Sequence, residues 1–139
     1  MSLETKTKVL LIDDEKFVPD IYSVKFLKSG FDVFACGSVD EAISRLRDGY
    51  EAEVIIFDIT MPDKNGYQFL EELAQLHLKK PCLKIALTNE GQVGEIQRTH
   101  ELGADAHLIK ARYTPLEVVD VVSTMLKERN SISQEKHSI

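Results

Sequence analysis

The chain has 139 residues, of which 43% are hydrophobic and 29% are charged, a composition typical of one globular domain. Twenty-three acidic against 17 basic residues give a formal net charge of -6, which argues against a nucleic-acid partner. The apolar runs are much shorter than the roughly 20 residues of a membrane span, and the N-terminus has no secretory signal. We therefore expect a cytoplasmic protein with no membrane segment and with free thiols at Cys36 and Cys82.

Short apolar runs alternate with longer amphipathic stretches along the chain. The runs predict strands at 8–12, 31–36, 53–57, 82–87 and 105–109. The stretches between and after them predict helices at 16–29, 39–49, 66–78, 92–102 and 115–128. Five repeats of strand then helix are typical of a parallel α/β sheet covered on both faces. The runs around 10, 55 and 85 are the most continuously apolar, which places them at the centre of the sheet.

Capping signals mark the start of two of these helices. Ser38 with Glu41 predicts one capping box, and Thr114 with Glu117 predicts another, with Pro115 at the first helical position.

Two helices and the ends of the chain are less sharply defined. The helix over 92–102 is mostly polar and contains Gly94, so we expect it to be the weakest and the most mobile. A valine cluster in the last helix leaves a strand as the alternative there. Residues 130–139 have no apolar period and are expected to form a frayed, flexible tail, while 1–6 form an N-terminal extension.

Polar side chains that could bind a ligand or take part in a reaction lie at the ends of four of the five predicted strands. Asp13 and Asp14 follow the first, Asp58 ends the third, Thr88 follows the fourth and Lys110 follows the fifth. The carboxyl ends of parallel strands meet at one edge of the sheet, where ligands collect. Three carboxylates in one pocket repel one another, and a hard divalent cation such as Mg²⁺ relieves that repulsion. An aspartate beside Mg²⁺, an amine and a hydroxyl is suited to accept a phosphoryl group, with Asp58 as the nucleophile.

The chain resembles the receiver domains of two-component response regulators over about residues 7–128. The resemblance is carried by Val9-Leu10-Leu11-Ile12-Asp13-Asp14-Glu15, by Phe57-Asp58-Ile59-Thr60-Met61-Pro62-Asp63-Lys64-Asn65-Gly66, by Leu87-Thr88 and by Lys110. Each motif alone is weak, but the four in this order at strand ends are specific. The resemblance implies a flavodoxin-like, doubly wound (βα)5 three-layer sandwich with strand order 2-1-3-4-5, in a receiver domain spanning 7–129.

The resemblance also assigns roles to the residues at the sheet edge. Asp58 is implied to be the phosphoacceptor, Asp14, Asp58 and the backbone carbonyl of Thr60 to bind Mg²⁺, and Asp13 to help through water. The phosphoryl donor is implied to be a sensor histidine kinase or a phosphotransfer protein. Thr88 and Lys110 are then expected to hold the phosphoryl oxygens. Movement of Thr88 is expected to shift the face of the fourth helix, fifth strand and fifth helix, which would contact a downstream protein and could form a homodimer.

Several residues depart from the family pattern. His107 stands where Tyr or Phe usually partners the switch hydroxyl, which suggests altered or pH-sensitive switching. Ala111 stands where Pro usually follows the lysine in a cis bond, and Asn89 stands where Ala is more common. Thr60 and Glu90 occupy positions that tune the dephosphorylation rate in the family.

Alternatives remain open for the function and for each site residue. The leading interpretation is a stand-alone receiver with no enzyme activity beyond its own phosphorylation and dephosphorylation. A phosphorelay intermediate, a receiver that works without phosphorylation and a small Mg²⁺-dependent aspartyl-phosphate phosphatase are the rivals. Many such phosphatases carry a second acid two residues after the nucleophile, where this chain has Thr60. The site residues could also be ordinary helix caps, turn residues or surface charges.

Overall fold

The computed structural model describes residues 6–15, 18–89 and 93–137. The elements alternate along the chain as β1 (Lys8–Ile12), α1 (Val18–Lys28), β2 (Asp32–Cys36), α2 (Val39–Arg47), β3 (Val54–Phe57), α3 (Gly66–Leu76), β4 (Leu83–Thr88), α4 (Val93–Glu101), β5 (Ala106–Ile109) and α5 (Pro115–His137). A single 3₁₀ turn, Lys110–Arg112, joins β5 to α5. The predicted order of five strands and five helices is confirmed.

The five strands form one parallel sheet in the order β2-β1-β3-β4-β5, which confirms the fold class and strand order that the resemblance implied. Its register sets the geometry of one edge. Ile12 at the end of β1 pairs with Phe57 at the end of β3, so Asp13 and Asp58 come next at the same level. On the other side, Thr88 of β4 pairs with Ile109, so Lys110 follows close by. The chemistry-bearing residues therefore meet at the carboxyl edge.

The core consists of two layers of apolar side chains, one on each face of the sheet. Alternate residues of β1 supply both layers: Leu10 and Ile12 pack on the face covered by α2 and α3, and Val9 and Leu11 pack on the face covered by α1 and α5. All four are at most 2% exposed. Burying a side chain of this size stabilises the fold by about 1.5–3 kcal/mol, so the sheet centre anchors the edge that carries the site.

Helix caps agree with the sequence in most details. Thr114 and Glu117 form the complete predicted box, each side chain accepting a hydrogen bond from the other's backbone N–H. Ser38 Oγ accepts from the Glu41 N–H as predicted, but the Glu41 carboxylate accepts from Gly37 N rather than from Ser38 N. That half of the predicted capping box was wrong, because the Glu41 carboxylate binds the N–H of the residue before Ser38.

The C-terminal helix is longer than expected. Helix α5 is continuous from Pro115 to His137, so it ends well after the predicted boundary at 128, and the alternative strand in the valine cluster was wrong. The flexible tail over 130–139 stays a prediction. No Pro or Gly occurs after Pro115, so nothing in the sequence interrupts the N–H to C=O hydrogen bonds between successive turns. The predicted extension over 1–6 lies almost wholly outside the described residues. No helix in the described part of the chain is both long and apolar enough to span a membrane.

Candidate functional site

Two buried carboxylates form the floor of the site at the carboxyl edge. The backbone extends the sheet by one residue at each: Asp13 N donates to Cys36 O at 3.1 Å and Asp58 N donates to Ile12 O at 3.0 Å. Both residues are only 4% exposed, whereas Asp14 beside them is exposed. One carboxylate oxygen from each of the three aspartates lies within 4.8 Å of the other two. That spacing suits joint coordination of a single cation.

Local backbone bonds orient the two buried carboxylates. Asp13 Oδ1 accepts a hydrogen bond from Glu15 N at 2.9 Å, and Asp58 Oδ1 accepts one from Thr60 N at 3.1 Å. In both cases the aspartate accepts from the backbone N–H two residues later. This arrangement is an Asx-turn, which short acidic side chains favour. The Oδ2 atom of each carboxylate is therefore directed toward the same point.

Lys110 lies at that point. Its Nζ donates to Asp13 Oδ2 at 2.9 Å and to Asp58 Oδ2 at 3.2 Å, and it lies 3.8 Å from the carboxylate of Glu15. The Lys110 side chain is 11% exposed, and those of Asp13 and Asp58 are 4% exposed, so these two ion pairs are largely desolvated. Lys110 also begins the 3₁₀ turn, and its bond to Ala111 is trans, as are all peptide bonds of the described residues.

The charges of the site do not balance within the protein. Three carboxylates and one ammonium leave two negative charges when all are ionised. Burial raises the pKa of Asp58 above its usual value, although Lys110 and the Thr60 N–H act in the opposite direction. Burial also disfavours the Lys110 ammonium, but hydrogen bonding to Asp13 and attraction to Asp58 outweigh it and raise the Lys110 pKa. A divalent cation fits this excess charge and the all-oxygen donor set.

Thr88 and His107 form the side of the site that faces α4. Thr88 is 3% exposed at the end of β4, and its Oγ1 lies 3.1 Å from His107 Nε2 on β5. The other ring nitrogen, Nδ1, lies 3.4 Å from Oγ1 of Thr99 on α4. Burial lowers the pKa of His107, partly offset by the charge of Glu95. The structure thus brings the predicted switch hydroxyl and its predicted partner together.

Thr60 and Asn89, two of the three residues predicted to tune the dephosphorylation rate, lie at the rim of the site. The side chain of Thr60 is exposed, and only its backbone N–H contacts Asp58. Asn89 is exposed, and its Nδ2 donates to Glu15 Oε1 at 3.5 Å. Glu90 lies outside the described residues.

Sequence reasoning missed two residues that shape the site. A Cβ added to Gly66 would lie 2.8 Å from Ile59 Cα and 2.9 Å from the Asp58 carbonyl oxygen, so only glycine fits against the loop that follows Asp58. Glycine at a helix start was the available signal, although it also fits ordinary turn chemistry. Thr99 had no signal, because its contact with His107 depends on how α4 lies on β5.

Comparison with known proteins now identifies the class of this fold and site. The family model of the response regulator receiver domain matches residues 9–122, which is most of the chain. A parallel sheet of this order with an acidic pocket at its carboxyl edge is the architecture of that class. The chain therefore belongs to the response regulator receiver domain family.

Individual relatives agree. The chain is 32% identical over 120 residues to the response regulator SaeR of Staphylococcus aureus (strain USA300), covering 86% of this chain and 50% of that protein. It thus spans about half the length of the curated relatives it matches. Among solved structures, a CheY-like receiver domain protein from Methanospirillum hungatei JF-1 has a TM-score of 0.81 at 21% identity, covering 91% of this chain and 98% of that one. A two-component response regulator from Clostridium difficile has a TM-score of 0.81 at 20% identity, covering 90% and 99%.

Members of the receiver domain family share two general properties. Receiver domains bind Mg²⁺ in their acidic pocket, and they interact with histidine kinases or phosphotransfer proteins. In this chain the pocket corresponds to Asp13, Asp14 and Asp58.

Proposed function

We propose that this chain accepts a phosphoryl group on Asp58 from a histidine kinase or phosphotransfer protein, with Mg²⁺ bound beside it, and signals its phosphorylation to a protein partner. One observation carries the proposal. The buried Asp58 carboxylate lies 3.2 Å from the ammonium of Lys110, and one of its oxygens lies within 4.8 Å of a carboxylate oxygen of Asp13 and of Asp14. A cytoplasmic location remains a prediction from the sequence.

The chemistry requires one covalent step at Asp58. A carboxylate oxygen forms the bond to phosphorus while the bond from phosphorus to the donor's imidazole nitrogen breaks, and the imidazole leaves with the electron pair. Asp13, Asp14, Asp58 and the predicted carbonyl ligand Thr60 would hold Mg²⁺, which supplies positive charge to the transferring group. Lys110 Nζ then donates to a phosphoryl oxygen in place of its present bond to Asp58.

A change of surface follows from the position of Thr88. Thr88 contacts His107, and His107 contacts Thr99 of α4. Movement of the Thr88 hydroxyl toward a phosphoryl oxygen would therefore change the contacts that hold α4 on the sheet. Helix α4 exposes Val93 at 81% and Ile96 at 40%. These apolar side chains support α4, β5 and α5 as the face that contacts a downstream protein or a second copy of the chain.

The rival functions fit these contacts less well. An aspartyl-phosphate phosphatase needs an acid to serve its leaving group, and the position two residues after Asp58 holds Thr60 with an exposed side chain. We therefore propose no enzyme activity on other substrates. A receiver that works without phosphorylation has no need to keep Asp58, Lys110 and Thr88 at one edge of the sheet, and here all three lie there.

Intact mass spectrometry tests the proposal directly. Wild type incubated with Mg²⁺ and a small phosphodonor should gain one phosphoryl group, and Asp58→Asn should gain none. Asp63→Asn is the matched control, because Asp63 is exposed in the same loop with a φ of 65°, which asparagine tolerates. Absence of an adduct from wild type with every donor would contradict the proposal. Rapid turnover of phosphomonoesters would favour the phosphatase.

Magnesium binding is tested through Asp14, the exposed member of the cluster. Asp14→Asn should leave the fold intact and weaken the stabilisation by Mg²⁺, since a ligand that binds only the folded state raises its melting temperature. Asp20→Asn, an exposed acid on α1, should respond to Mg²⁺ as wild type does. Equal Mg²⁺ responses in all three proteins would remove Asp14 from the metal site.

A further inference from the structure

Three side chains connect the phosphoryl site to α4 in a continuous hydrogen-bonded series. Thr88 Oγ1 lies 3.1 Å from His107 Nε2, and His107 Nδ1 lies 3.4 Å from Thr99 Oγ1. Thr99 is 1% exposed and is the buried residue of α4. Both nitrogens of the imidazole are therefore engaged, one toward the site and one toward the helix.

The partners of Thr99 assign the protons of this series. Thr99 Oγ1 lies 2.9 Å from the Ile96 carbonyl oxygen and 3.1 Å from the Glu95 carbonyl oxygen, and carbonyls can only accept. The Thr99 proton therefore points into the helix, which leaves an oxygen lone pair to accept from His107 Nδ1–H. The neutral imidazole then has its lone pair on Nε2, so Thr88 donates its hydroxyl proton there.

This assignment creates a competition for one proton. Phosphoryl oxygens accept hydrogen bonds and cannot donate to Thr88 when ionised, so the Thr88 hydroxyl must use its only proton to bind them. A neutral His107 already holds that proton at Nε2. A protonated imidazole instead donates from both nitrogens, so Thr88 can accept from His107 and direct its own proton to the phosphoryl group.

We propose that His107 is a proton-gated positioning residue for Thr88: the neutral ring, held in one tautomer by Thr99, retains the Thr88 proton, and the protonated ring releases it to the phosphoryl oxygen. This inference rests on the proposed phosphorylation of Asp58. Because coupling is reciprocal, phosphorylation should favour protonation of His107, and mild acid should favour the phosphorylated arrangement.

The surroundings of the ring support the unphosphorylated state as the neutral one. Burial lowers the pKa of His107, and the charge that opposes this in the described part of the chain is Glu95 of α4. The described residues that pair with His107 or lie within hydrogen-bond distance of its ring are uncharged: Ala86 and Thr88 on β4, and Thr99 on α4. The approach of a phosphoryl group would therefore change both the hydrogen bonding and the field at the ring.

The test follows the imidazole of His107 by NMR in Mg²⁺, with and without beryllofluoride as the phosphoryl mimic. Nitrogen shifts of the free protein should show the proton on Nδ1. With beryllofluoride bound, the titration midpoint of His107 should move upward. His100, which is exposed on α4, is the control for general effects of pH or of the ions.

Two variants distinguish an effect of the hydrogen-bonded series on the His107 midpoint from an effect of the phosphoryl charge acting through space. The charge effect persists in both variants. Thr88→Val removes the competing hydroxyl, and Thr99→Val removes the group that sets the tautomer while keeping Thr88 in place. Each should reduce the upward shift. An unchanged midpoint in wild type, or equal shifts in wild type and Thr99→Val, would overturn the proton gate. Failure of beryllofluoride to bind, seen by fluorine NMR, would instead overturn the proposed phosphorylation and the gate with it.

Discussion

Helices α3 and α4 follow neighbouring strands of the sheet, but they are attached to it by different means. Helix α3 buries Gly66, Phe69, Leu70 and Leu73 against the sheet, and Asn65 and Gln68 complete a capping box at its start. Helix α4 buries Thr99 alone among its residues and leaves Val93 and Ile96 exposed. One helix is held by apolar packing and the other largely by polar contacts.

The energies of these contacts differ accordingly. Each fully buried apolar side chain of α3 contributes about 1.5–3 kcal/mol. A hydrogen bond such as that between Thr99 and His107 contributes only about 0.5–1.5 kcal/mol, because water competes for the same groups. The Arg98 guanidinium over the Tyr67 ring, 4.0 Å from its centroid, adds a weak link between the two helices. Helix α4 is therefore the element that a small change at Thr88 can move.

Truncation of one apolar residue in each helix gives the largest expected contrast. Phe69→Ala removes a fully buried ring that packs on Phe57 at 5.4 Å between centroids, and it should lower the free energy of unfolding by about 3–5 kcal/mol. Ile96→Ala, at 40% exposure, should cost less than about 1 kcal/mol. Urea denaturation measures both. Similar losses would show that α4 is packed as firmly as α3.

The second contrast concerns the start of α3, where the helix meets the Asp58 loop. Gly66→Ala places a Cβ 2.8 Å from Ile59 Cα and 2.9 Å from the Asp58 carbonyl oxygen, both rigid backbone atoms. The resulting displacement should cost about 1–3 kcal/mol by urea denaturation. It should also slow phosphoryl adduct formation in the mass assay, since the Thr60 N–H that orients Asp58 lies in the same loop. Unchanged stability would show that the loop yields freely.

The sequence predicted the fold well because its signals are local. Short apolar strands, amphipathic helices and the Thr114 cap can each be recognised within a short window, and the parallel sheet follows from the alternation of strands and helices. The same alternation predicted that Asp13, Asp58 and Lys110 lie at the carboxyl edge of the sheet. The end of α5 was mispredicted because a polar composition was taken as absence of structure, whereas an uninterrupted helix needs no apolar period to continue.

The contacts that distinguish this chain depend on tertiary structure. Thr99 is an ordinary helix residue until α4 lies across β5 and places its hydroxyl beside His107. The close approach at Gly66 likewise depends on how the loop after β3 folds back onto α3. The orientation of the Asp13 and Asp58 carboxylates toward one lysine follows from side-chain bonds that no spacing rule specifies.

The smallest expected effect lies in α4 and has the opposite sign. Gly94 is in the first turn of the helix, with nothing within 4 Å of the position a Cβ would take and no left-handed φ. Gly94→Ala should therefore stabilise α4 by up to about 1 kcal/mol, because alanine loses less backbone entropy on entering a helix. Hydrogen exchange at the amides of Gln97 and Arg98 should slow by up to about fivefold, a factor that corresponds to this energy.

The same measurement at α3 decides what that stabilisation means. If α4 opens independently of the rest of the domain, exchange at Leu70 and Leu73 stays unchanged while exchange in α4 slows. If all these amides slow together, α4 opens only when the whole domain unfolds, and the contrast between the two helices does not extend to their motion. Independent opening would also predict that Gly94→Ala weakens the link between Thr88 and the exposed face of α4, since a helix held more firmly responds less to a single hydrogen bond.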